Sequence, residues 1–151
     1  MPEPTSFLAV EDLDVAGTLA AVEAAERDRR AVEVRELELA LHWADLHAQD
    51  PRDEGQPPVN GGPQLVQVGG AGSPRVQDLA LCELAMARGQ HTLATRALVA
   101  DALDLRHRLP ELYAALREGR IDLWVARKVA SMTRKLDPAA AGLVDRAVTA
   151  A

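Results

Sequence analysis

The chain reads as an all-α domain of five to six helices. It includes a helix-turn-helix-like pair and one long Pro/Gly-rich internal loop. Three observations predict this. Residues 8–47 hold no proline, and in their second half apolar residues recur at helical spacing. Beyond residue 75, glycines and prolines fall where helices stop and start. The chain is 48% hydrophobic but only 3% aromatic, so its core is built from Leu, Val and Ala, which suits close helix packing.

Residues 1–7 are Pro-rich and expected to fray. Residues 8–47 form a long N-terminal helical segment. Val32, Leu39, Trp43 and Leu46 make one apolar row, and Val34, Leu37, Leu41 and Ala44 make another. Two adjacent rows predict a wide buried face. Residues 24–38 are dense in mixed charge and read as a solvated face with i,i+4 pairs.

Residues 48–74 read as a linker, because Pro51, Pro57, Pro58, Pro63, Pro74 and the pairs Gly61-Gly62 and Gly69-Gly70 break helix and strand alike. Within it, disorder is expected over residues 50–63, and residues 68–74 are expected to dock ahead of the next helix. Gly69-Gly70-Ala71-Gly72 reads as a turn, not a phosphate cradle. No strand is expected before it, and no Lys-Ser/Thr follows it.

A helix is expected over residues 75–88, ended by Gly89. The next begins with Thr92 as N-cap and runs to about His107. Ala85, Gly89 and Leu98 fit a tight turn between crossing helices. They supply a small residue at the close approach, one that tolerates positive φ, and an apolar anchor on the second helix. Pro110 suits the first turn of a short helix that Gly119 ends. Asp122 caps a helix running to about Arg134, and Asp137-Pro138 starts another. That last helix meets no stop signal by Ala151, so residues 75–151 are expected to be truncated within a longer protein.

The net charge of −6 is uneven. Residues 1–78 hold 15 acids and 6 bases, and residues 79–151 hold 8 acids and 11 bases. Such asymmetry points to a nucleic-acid-facing second half. At the front of the second helix of the pair stand Gln90, His91, Thr92, Thr95 and Arg96. Of these Arg96 is the best reader of guanine or grip on phosphate. Arg120, Arg127 and Lys128 are candidates for flanking phosphates. Leu93 and Ala97 share that front, however, and a front of Ala, Leu and Thr also fits packing on another helix without DNA. Arg127 has an alternative too, in a surface pair with Asp122 or Glu118.

The run LPELYAALREGRIDLWVARKV resembles the segment after the helix-turn-helix in ParB/KorB partition proteins. There a Leu-Pro, a Gly-[Lys/Arg]-[Ile/Leu] and an Ala-Arg recur, here Leu109-Pro110, Gly119-Arg120-Ile121 and Ala126-Arg127. The chain departs from that pattern at His91, where serine is usual, and in a longer span from Gly89 to Leu109. Four further blocks run in order: ALHWADLH from Ala40, VGGAGSPRVQD from Val68, ELAMARG from Glu83 and ALDLRHRLP from Ala102. They resemble the N-terminal domain of the actinobacterial thirteen-E-twelve repeat family, over most of the chain from Leu19 onward. That domain has no known function and is often joined to a C-terminal HNH endonuclease. The resemblance implies a non-catalytic module of an HNH-endonuclease-like protein. The arginine and alanine bias fits an actinobacterial source.

No catalytic set converges in this chain. The histidines His42, His47, His91 and His107 lack the spacing of shared metal ligands, and no zinc or nucleotide motif is present. No cofactor is expected. The lone Cys82 reads as a small buried hydrophobe. Trp43 and Trp124 read as core or groove packing. No secretory signal or membrane-length apolar run is seen, so a cytoplasmic location and no membrane partner are expected. Two functions follow as expectations. One is double-stranded DNA contact by positioned arginines. The other is a helical interaction or homo-oligomerisation scaffold that uses the N-terminal helix.

Overall fold

The computed structural model describes residues 8–50, 62 and 64–151. The expected fraying of residues 1–7 lies outside the described residues, as does most of the expected disorder in 50–63. Among the described residues there are six α-helices and one two-stranded ribbon: α1 (Val15–Leu46), β1 (Leu65–Val66), β2 (Val76–Gln77), α2 (Asp78–Arg88), α3 (Thr92–Arg108), α4 (Pro110–Arg117), α5 (Leu123–Thr133) and α6 (Pro138–Ala150). The all-α reading with a closely joined α2–α3 pair is the fold observed. No helix among the described residues is long and apolar enough to cross a membrane.

A single 3₁₀ turn, Val10–Asp12, precedes α1. Asp14 then starts α1 by accepting a hydrogen bond from the Gly17 N–H at 2.7 Å, satisfying one of the helix's orphan donors. Only the C-terminal third of α1 enters the core. Leu37, Ala40, Leu41 and Ala44 are buried, with Val34 packed against them. The other apolar row is not buried as expected: Val32, Leu39 and Leu46 are exposed. A helix that lies against one body can bury only one stripe, and α1 turns that stripe mainly to α3. Trp43 is half-buried and reaches over to donate its indole N–H to the Ala80 carbonyl at 2.8 Å.

The linker expectation needs one correction. Leu65–Val66 forms a strand that pairs antiparallel with β2, Val66 opposite Val76. The ribbon survives at two residues a side because it is tied down. Gln77 N–H donates to the His47 carbonyl, Asp78 N–H to the Gln64 carbonyl, and Val76 is fully buried. Strand pairing also delays α2, which begins at Asp78 instead of residue 75.

α3 is the central helix. Every residue from Leu98 to Leu105 is buried, and α1, α2, α4, α5 and α6 all pack on it. Leu109 ends it, and Pro110 opens α4 at once. The first turn of α4 is capped from another helix: Asp145 of α6 accepts from the Glu111 N–H at 3.0 Å and the Leu112 N–H at 2.8 Å. Gly119, at φ 76°, ends this segment as expected. Asp122 precedes α5 without a side-chain capping bond; its carboxylate pairs with Arg30 of α1 at 2.9 Å instead. Asp137 caps α6 through the Ala140 N–H at 2.8 Å.

Candidate nucleic-acid and association surfaces

The α2–α3 turn has the geometry its residues imply. Gly89 adopts the left-handed conformation at φ 63°, and the Gln90 N–H closes the end of α2 on the Ala85 carbonyl. Ala85 and Leu98 are buried where the helices cross. The cap of α3 is His91, not Thr92: the imidazole Nδ1 accepts from the Leu93 N–H at 3.1 Å, and Thr92 is the first helical residue.

The DNA candidates do not stay together. His91, Thr92 and Arg96 are exposed on the first two turns of α3. Thr95 is fully buried, and its hydroxyl accepts from Arg88 at 2.8 Å. Thr95 shares a helix face with Val99 and Ala102, a periodicity that marks it as interior. Arg127 is half-buried, and its Nε donates to Asp101 at 2.7 Å, not to Asp122 or Glu118. Arg120 pairs with its neighbour Glu118 at 2.7 Å. Arg96 and Lys128 are exposed with no ion pair among the described residues. Gln90 is exposed at the turn. The free front of α3 is therefore short, because every residue from Leu98 to Leu105 is core.

A buried ionic cluster lies behind this front, and the sequence reading passed over it. Asp101 accepts from both Arg127 and Arg134. Asp104, fully buried, accepts from Arg134 Nε at 2.8 Å and from the Gly70 N–H at 2.7 Å. Arg108 donates to the carbonyls of Ala71, Thr133 and Leu136, so it closes the end of α5 while gripping the glycine-rich loop. Its Nε has no hydrogen-bond acceptor and lies 3.7 Å from Asp104. Burial works against the charge on Arg134, but the bonds to Asp104 and Asp101 outweigh it and hold its pKa above the ordinary arginine value. The missed signal was two acids three apart and an arginine four further on, interleaved with the buried apolar run Leu98–Leu105. With its carboxylate oxygens engaged, the cluster fastens the residue 68–74 segment to α3 and α5 and offers no open position for chemistry. Among the described residues no group of three or more His, Cys, Asp or Glu could hold a metal ion.

Two single-residue expectations also change. Cys82 is exposed, since α2 turns Leu81 and Ala85 inward. Trp124 is exposed on α5, beside Arg127 and Lys128.

The first half of α1 stands clear of the core. Val15, Leu19 and Val22 are 81%, 61% and 60% exposed. No residue from Val15 to Arg29 is buried or bonded to another element among the described residues. The charged middle of α1 is laced as expected, with Arg29 joined to Glu26 and Glu33, and Arg30 to Glu26. Where this arm meets the body, a groove of about 500 Å³ runs between α1 and the α4–α5 turn, lined by Arg27, Val34, Leu116 and Ile121 among others. No family model, curated protein or solved structure matches this chain.

Proposed function

We propose that this chain is a non-catalytic helical module that works by protein association through the first half of α1. The observation that carries the reading is the exposed row Val15, Leu19 and Val22 on a helix that needs no such row to fold. Apolar side chains in line on a solvated helix cost solubility and gain nothing until a partner covers them. The residues that resemble the thirteen-E-twelve N-terminal domain support placing this module in an HNH-endonuclease-like protein, with any cutting done elsewhere.

The test is thermal unfolding in dilute solution of the combined variant Val15→Gln, Leu19→Gln and Val22→Gln. Glutamine is a good helix former. A spare surface shifts Tm by no more than about 3 °C, the equivalent of the roughly 0.5 kcal/mol typical of surface changes. A fall on the order of 10 °C means the row packs on its own chain, and the reading fails.

A second reading, contact with double-stranded DNA, is favoured by Arg96. It is exposed beside His91 and Thr92, and has no ion pair among the described residues. A guanidinium so placed at the start of a helix can reach a groove or a phosphate.

A further inference from the structure

We infer that the exposed face of α5 around Trp124 binds single-stranded nucleic acid, stacking a base on the indole and holding phosphates with Lys128 and Lys135. This goes beyond association through α1 and uses none of the residues of that row. It also differs from duplex contact at Arg96, because the ring does part of the binding. From Leu123 to Leu136 the chain carries four cations, Arg127, Lys128, Arg134 and Lys135, and no acid. Trp124, Lys128 and Met132 follow at intervals of four, so they share one stripe of the helix. Trp124 is 68% and Met132 73% exposed. Lys128 and Lys135 are exposed and form no ion pair among the described residues.

Charge and pattern together select the occupant. A hollow of about 400 Å³ is lined by Trp124, Asp101, Arg127, Lys128, Ser131 and Met132. Its one acid, Asp101, is buried and already held by Arg127 and Arg134. The charge left unpaired there is the Lys128 ammonium. In a second hollow that shares Trp124, toward α1, the charges are matched: Arg29 pairs with Glu33, and Asp122 with Arg30. An anionic strand therefore runs from Trp124 toward Met132 and the end of α5. An acidic helix would need an unbroken apolar row to dock on, and here Lys128 stands between Trp124 and Met132. A stripe that alternates ring, cation and apolar side chain fits a polymer that alternates base and phosphate. Side chains four apart on a helix have Cβ atoms about 5–6 Å from each other, so a base on the indole leaves its own phosphate within reach of Lys128. The eight residues from Trp124 to Met132 rise about 12 Å, which leaves room for a second base against the flexible thioether. The net charge of −6 opposes a polyanion, so binding is modest and confined to low salt.

The experiment titrates the full chain with labelled oligothymidylate at about 50 mM salt, reading anisotropy and tryptophan fluorescence together. The expected result is saturable binding, with quenching that is absent in Trp124→Phe, whose remaining Trp43 is half-buried on α1. Trp124→Phe keeps a ring and should bind nearly as well as the wild type. Trp124→Ala should bind about 5- to 140-fold more weakly, the equivalent of roughly 1–3 kcal/mol of stacking. Two phosphate contacts give a slope of log K against log salt of about −1.4, and Lys128→Gln should remove about 0.7 of it. A duplex of the same length hides its base faces and should bind more weakly. No binding at that salt, or unchanged binding by Trp124→Ala, would overturn the inference. So would a duplex that binds as tightly as the single strand. Polyglutamate that competes as strongly as the oligonucleotide would overturn it too, since the face would then take an acidic polypeptide. Each altered side chain is exposed, and matching circular dichroism separates lost binding from lost fold.

Discussion

The backbone N–H of Gly70 donates to the buried carboxylate of Asp104 across 2.7 Å. This bond fastens the glycine-rich loop to the central helix. The space is closed to any side chain, because a Cβ on Gly70 would lie 2.6 Å from both the Arg108 guanidinium carbon and the Arg134 carbonyl oxygen. Gly70→Ala therefore forces backbone or a buried arginine to move. We expect a loss of about 1–3 kcal/mol, read as a lower urea midpoint with an unchanged slope. An unaltered midpoint would show that the loop does not dock this way.

Asp104→Ala removes the acceptor shared by Gly70 and Arg134 and leaves buried arginine charge short of its partner. Breaking such a pair from one side costs about 3–5 kcal/mol. Arg127→Ala acts on the same cluster from a more exposed position and costs less, about 1–2 kcal/mol. Equilibrium urea unfolding of the two variants should preserve that order.

The cap that Asp145 places on α4 predicts a graded pair of variants. Asp145→Ala leaves the Glu111 and Leu112 N–H groups without their acceptors and should cost about 1–3 kcal/mol. Asp145→Asn keeps one acceptor and should lose less. Equal losses would mean that the carboxylate is not acting as a cap.

Near the surface, Arg106 grips Asp45 with both terminal nitrogens, and this bond holds the Asp45 carboxyl below the usual aspartate range. A depressed folded pKa gives stability that is present above the unfolded value, about 3.9, and lost as pH falls through the folded one. The pair is half-exposed, so its worth is at most about 1 kcal/mol. Asp45→Asn should remove that part of the acid sensitivity and leave the rest of the Tm–pH curve unchanged.

Within the DNA reading, Arg96→Ala should weaken duplex binding in fluorescence anisotropy and flatten its salt dependence by about one unit of slope if the contact is to phosphate. Arg127→Ala should change stability more than binding, because Asp101 already holds that side chain. If the wild-type chain shows no binding at about 50 mM salt, where the backbone attraction is strong, the DNA reading is removed.

Several helix termini were legible because they depend on single residues: Gly89 and Gly119 for positive φ, Pro110 and Pro138 for first turns, and Asp137 for a cap. The start of α1 at Val15, capped by Asp14, was not read, and the caps expected at Thr92 and Asp122 are not made. Burial was less legible. The seam of Leu37 and Leu41 and the row of Val32 and Leu39 look alike in sequence, and only the position of α3 decides between them. The Asp101–Asp104–Arg108–Arg134 cluster was hidden for the opposite reason. Charged residues read as surface, and their partners lie about 30 residues apart on other elements. The strand at Leu65–Val66 exists only through its pairing with β2, which no local propensity specifies.

The claim that the first half of α1 is a surface spare to the fold is tested most directly by thermal unfolding of wild-type and Leu19→Gln chains in dilute solution. The account predicts the same circular dichroism and a Tm within about 3 °C of the wild type. A fall on the order of 10 °C would contradict it, because the row would then be packing on its own chain.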